Sequence, residues 1–146
     1  MKTVQTLIIA SLVTTVGLIP LPSMAQIKDN QVNALVKALK QAAPPNRPND
    51  GMYSAWQVLP NIIPSWTKQC VGKELTPEQF EKDAKAAEKT VSCIVKRELN
   101  SQYQTTKNEM KSVQGVACWW MTGKYQGCDQ DPSKTYVQRV LSAYKP

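Results

Sequence analysis

Apolar residues recur at helical spacing in three parts of the chain. The strongest pattern lies between Thr76 and Val113, where Phe80, Ala84, Ala87, Val91 and Ile94 fall on one stripe at about 100° per residue. Ala, Glu, Lys and Gln fill the intervening positions, and these residues lose little side-chain freedom in a helix. Thr76 with Gln79 reads as a capping box, Pro77 suits the first helical position, and Gly115 reads as the stop. Beyond Leu99 the stripe drifts, with Tyr103, Met110 and Val113 lying roughly 100° around from it. The reading is one long helix that changes partners, with Asn100-Ser101-Gln102 as the alternative point of interruption.

Two shorter patterns flank this rod. Val32, Leu35, Val36 and Leu39 predict an amphipathic helix capped by Asp29 or Asn30, with Lys37 and Lys40 facing outward or covering the rim. Val137, Val140, Leu141 and Tyr144 predict a last helix opened by Asp131 and Pro132. Between the first helix and the rod, Pro44 to Gly51 forms a stiff connector. The apolar stretch from Met52 to Cys70 is interrupted by Pro60 and Pro64, which predicts short helical turns with kinks. The fold class is therefore all-α: a small helical domain of about four helical segments around one long helix.

The N-terminus is read as a removable export signal over residues 1–25. Lys2 gives a positive start, Leu7 to Ile19 is apolar, and Ser23-Met24-Ala25 has the small-x-small form of a cleavage position. The expected localisation is periplasmic or extracellular, with no lipid anchor and no membrane span in the mature chain. The remainder, residues 26–146, suits one domain. Loss of Lys2 leaves it 17 basic and 11 acidic residues, a net charge of +6. With much of the Leu, Ile and Val in the leader, the four Trp and five Tyr are expected to fill much of a thin core.

Four cysteines in an exported chain point to disulfides. Of three possible pairings, Cys70–Cys93 with Cys118–Cys128 closes the shortest loops. The wide spacings, the lack of CxxC and the absence of histidine leave no metal site or cofactor to expect.

The same absence of histidine excludes Ser-His-Asp and Cys-His catalysis, and neither a P-loop nor a GxGxxG is present. A carboxylate pair for glycoside hydrolysis would have to come from Glu78, Glu81, Glu88, Glu98, Glu109, Asp129 and Asp131. Glu78–Lys82 and Glu81–Lys85 have the spacing of ordinary surface pairs, whereas Glu98 falls near the apolar stripe. No catalytic residue is assigned. Lys82, Lys85, Lys89 and Lys96 share a sector opposite Phe80, either a solvated face or a binding stripe for an anionic surface. The segment from Cys118 to Cys128 carries Trp119, Trp120 and Tyr125 in a bridged loop. They can stack on a sugar, anchor in a protein partner, or plug one end of the core, and one of the two Trp is expected to be buried and the other partly exposed. Trp56 and Trp66 are core residues or the lining of a cleft. The expected role is a non-enzymatic accessory or interaction protein of the cell envelope with a protein or glycan partner and no nucleic-acid partner. Alternatives are a carboxylate-based hydrolase or binder of wall glycan, and anionic-surface binding through the lysines.

Overall fold

A computed structural model describes residues 26–146. The export signal read in residues 1–25 lies outside the described residues. Six helices follow one another: α1 (Asp29–Ala42), α2 (Ile63–Val71), α3 (Pro77–Lys82), α4 (Ala84–Thr106), α5 (Glu109–Thr122) and α6 (Ser133–Ala143). Helix α4 packs on α1 and α5, and α6 packs on both of these, so the four longer helices close a ring around the core. Helices α2 and α3 lie against α4 outside that ring.

The long segment is helical but not continuous. Thr76 and Gln79 form the expected capping box, with Gln79 N–H to Thr76 Oγ1 at 3.2 Å and Thr76 N–H to Gln79 Oε1 at 3.0 Å. The helix it opens ends after six residues, at Asp83. The Asp83 carboxylate accepts from Ala86 N–H at 2.9 Å and opens α4. The chain then runs helically through Asn100-Ser101-Gln102 and turns at Lys107, which adopts the left-handed conformation (φ 51°). Asn108 starts α5 by accepting from Lys111 N–H at 2.9 Å. The change of partners thus comes from a two-residue link that folds α5 back on α4, not from rotation along a straight rod.

Gly115 is not the stop. It lies inside α5 and is buried, and a Cβ there would stand 2.7 Å from Gln102 Oε1. The missing side chain lets α5 approach α4, and the helix ends instead at Gly123 (φ 75°), whose N–H reaches Trp119 O at 2.8 Å. Helix α1 also departs from expectation at its start. Asp29 and Asn30 lie in the first turn, and the boundary residue is Lys28, whose N–H donates to Gln31 Oε1 at 2.7 Å. At α6 the boundary residue is Pro132, not Asp131; Asp131 stands one position earlier, and its carboxylate accepts from Thr135 N–H at 3.1 Å.

Val32, Leu35, Val36 and Leu39 of α1 meet Val91, Val95 and Leu99 of α4, Val113 and Val116 of α5, and Val137 and Val140 of α6 in one buried cluster. The expectation that Trp and Tyr fill much of the core holds in part: Trp56, Tyr136 and Tyr144 belong to the buried cluster, and Tyr53, Trp66, Tyr103 and Trp120 pack against it. Apart from Phe80, the largest fully buried side chains are aliphatic or threonine. Trp56, Tyr136 and Tyr144 are buried at the margin, whereas Trp66, Trp119, Trp120 and Tyr125 are half-buried. Both disulfides pair as read: Cys70–Cys93 joins α2 to α4, and Cys118–Cys128 joins α5 to the segment after it, each with Cα atoms 5.8 Å apart. A bridge of either span is worth about 2–4 kcal/mol.

Candidate functional site: an aromatic face on a stapled loop

The last turn of α5 carries Trp119 and Trp120, Gly123 ends the helix, and the Cys118–Cys128 bond returns the chain across it. Within the return, Thr122 Oγ1 donates to Cys118 O at 2.8 Å and accepts from Lys124 N–H at 3.2 Å. These bonds set the position of Tyr125. Its ring stacks on Trp119 with centroids 6.1 Å apart and planes 15° apart. On the other side Trp119 stacks on Trp66 of α2, at 6.1 Å and 19°. Trp120 stands 5.7 Å from Trp66 and 6.2 Å from Trp119. Four rings thus form one half-exposed aromatic edge where α2, α5 and the stapled loop meet.

Trp119 and Trp120 are both half-buried, which corrects the expected split of one buried and one exposed. Ala117 and Cys118 take the inward positions of the helix, so the next two residues straddle its boundary with solvent. Trp120 Nε1 donates to Trp56 O at 3.3 Å, which orients that indole. Trp66 is the member that sequence reasoning did not join to the loop, because it stands more than fifty positions earlier and reaches the others through the packing of α2 on α4.

A polar network supports the edge. Glu98 of α4 is only 6% exposed, and its carboxylate accepts from the Tyr125 phenol. Arg97 Nε donates to the other oxygen of Glu98 at 2.6 Å, and Arg97 Nη1 donates to Gln69 Oε1 of α2 at 2.9 Å. Burial, followed by the hydrogen bond to Glu98, pushes the Tyr125 phenol up to about 12. Tyr125 therefore stays a neutral donor at physiological pH, and Glu98 is engaged on both oxygens.

Of the remaining candidate carboxylates, Glu81, Glu109 and Asp131 have structural partners, whereas Glu78, Glu88 and Asp129 form no side-chain hydrogen bond or ion pair among the described residues. Glu81 does not pair with Lys85; its two oxygens accept from Asn46 Nδ2 at 2.5 Å and from Ser54 N–H, holding the connector on α3. Glu109 accepts from the Tyr144 phenol at 2.6 Å, and burial with this bond raises the pKa of that phenol. Glu78 and Lys82 form no ion pair; among the described residues such pairs are Lys68–Glu74, Lys96–Asp29 and Arg97–Glu98. Lys82, Lys85, Lys89 and Lys96 are all exposed. The break at Asp83 separates Lys82 from the α4 lysines, and Lys96 Nζ lies 2.9 Å from Asp29. Lys82 and Lys85 instead share an open cleft with Lys73 that Lys89 and Lys96 do not line.

Among the described residues, no group of three or more His, Cys, Asp or Glu side chains converges as a metal site, and no helix is long and apolar enough to cross a membrane. The fold and the edge define an all-α protein stapled by two disulfides. No protein-family model, curated protein or solved structure matches the chain.

Proposed function

We propose that the chain is an exported, non-enzymatic interaction protein of the cell envelope that docks a partner through the aromatic edge of the Cys118–Cys128 loop. The observation that carries this reading is the position of Trp119, stacked between Trp66 and Tyr125 yet half-exposed, on a segment already closed by a covalent bond. Aromatic side chains dominate the energetics of protein interfaces, and a preformed loop loses little entropy when it docks. Two disulfides accord with an oxidising compartment. Glu98, Glu81, Glu109 and Asp131 each stabilise a tyrosine, a connector or a helix end, which favours binding over hydrolysis.

The test compares the wild-type chain with Trp119→Ala, both introduced into their native envelope with a photo-crosslinker at Gln126, beside the edge. The expected result is a discrete crosslinked partner with the wild type and its loss with Trp119→Ala, while circular dichroism shows both proteins helical. An identical crosslink in both excludes this surface.

A further inference from the structure

On the far side of Trp120 lies a second feature, a cleft of about 230 Å³ between the start of the connector and α6. Its walls are the rings of Trp56, Trp120 and Tyr136 with the thioethers of Met52 and Met121. The polar handles of both indoles are already used: Trp56 Nε1 donates to Val36 O at 2.9 Å, and Trp120 Nε1 to Trp56 O at 3.3 Å. The amide nitrogen of Gln57, also at the wall, donates to Asn46 Oδ1 at 2.9 Å and to Ser54 O at 3.3 Å. The cleft is thus lined chiefly by carbon, with both indole N–H groups and the Gln57 amide engaged inside the protein.

Arg139 is the exception. It borders the cleft, is exposed, and forms no ion pair among the described residues. Its guanidinium stands 6.0 Å over the Tyr136 ring, while the Lys40 ammonium stands 5.1 Å over Trp56. An apolar slot with a free planar cation at its rim matches a ligand with a ring at one end and a carboxylate at the other. The volume falls below the roughly 300–1,000 Å³ of drug-sized pockets, which limits the apolar part to a single ring. The turn that carries Trp56 and Gln57 to the wall is also built at a conformational cost: Gln57 (φ 56°), and Ser54 (φ 66°) behind it, take the left-handed region inside a turn closed by Tyr53 N–H to Val58 O at 2.9 Å and Val58 N–H to Tyr53 O at 2.8 Å. Such residues concentrate where a surface is shaped to hold something.

We propose that this cleft binds a small single-ring carboxylate, with the ring between Trp56, Tyr136 and Met121 and the carboxylate on the Arg139 guanidinium. The site is independent of the docking edge, although Trp120 borders both.

The experiment titrates the full chain with 3-phenylpropionate, its neutral amide 3-phenylpropanamide, and acetate, following tryptophan fluorescence and heat. The expected result is saturable one-to-one binding of the carboxylate, at least about tenfold tighter than the amide, and none of acetate. Arg139→Gln abolishes the preference for the carboxylate, and Ala43→Leu, which fills the cleft, weakens both aromatic ligands at least about tenfold. Absence of saturable binding at millimolar 3-phenylpropionate overturns the proposal. So does a preference for the carboxylate that survives Arg139→Gln in a protein with unchanged circular dichroism.

Discussion

The phenol of Tyr125 donates to the carboxylate of Glu98, a hydrogen bond that spans 27 positions and ties the stapled loop to the buried side of α4. A carboxylate with so little exposure depends on its donors, since an unmet charge in the interior costs more than the bond itself contributes. Tyr125→Phe leaves Glu98 to Arg97 alone and is expected to cost about 1–3 kcal/mol in urea unfolding. Adding Glu98→Gln to Tyr125→Phe should recover part of that loss, because the amide leaves no stranded charge. An additive double mutant would show that the two side chains are uncoupled.

The same bond predicts the alkaline limit of stability. Burial and Glu98 raise the Tyr125 phenol from 10.0 to about 12. The native state favours the protonated form, so this contribution is complete below about pH 10 and is lost as pH rises through about 12. Burial raises the phenols of Tyr136 and Tyr144 in the same direction. Stability should fall across this window as phenolate absorbance grows, and Tyr125→Phe should reduce the steepness of the fall.

The two bridges should not be equal. Cys70–Cys93 spans 23 positions and Cys118–Cys128 spans 10. On loop entropy alone the longer contributes about 0.7 kcal/mol more. Paired Cys→Ser replacement at 70 and 93 is thus expected to lower the urea midpoint further than replacement at 118 and 128. The shorter bridge should matter more for docking, because its loss frees Tyr125 from Trp119.

Gly115 offers a test of helix approach against helix propensity. A methyl group there first meets the flexible Gln102 side chain, 2.7 Å from its Oε1. Replacing Gly by Ala within a helix gains about 1 kcal/mol. Gly115→Ala should gain less than this alone and nearly all of it together with Gln102→Ala. Gly115→Leu should instead destabilise by about 1–3 kcal/mol through overpacking. Thermal unfolding of the three variants separates these outcomes.

Glu81 predicts an effect at a distance from the core. Its carboxylate holds Asn46 and the Ser54 N–H, so it positions the turn that carries Trp56. Glu81→Ala should cost about 1–2 kcal/mol and raise hydrogen exchange at Ser54 first. Unchanged exchange there would show that Glu81 does not hold the turn.

The inner faces of α1 and α6 were legible because each depends on spacing within a few turns, and Val32, Leu35, Leu39, Val137 and Val140 are buried as their period requires. The disulfide pairing was legible from loop length. The turn at Lys107 was not, because a lysine in the left-handed region carries no compositional mark, and Asn108-Glu109 resembles any polar stretch of a helix surface. Glu98 stood out only as an acid near an apolar stripe; its phenol partner and Trp66 lie too far along the chain for periodicity to reach.

The chain alone determined helical content, the facing of the first and last helices, and the cysteine pairs, since these follow from neighbours a few positions apart or from the entropy of closing a loop. Tertiary structure decided which aromatics were left outside the core and which polar groups support them. The breaks at Asp83 and Lys107 set how α2, α4 and α5 meet, and only that meeting brings Trp66, Trp119, Trp120 and Tyr125 together.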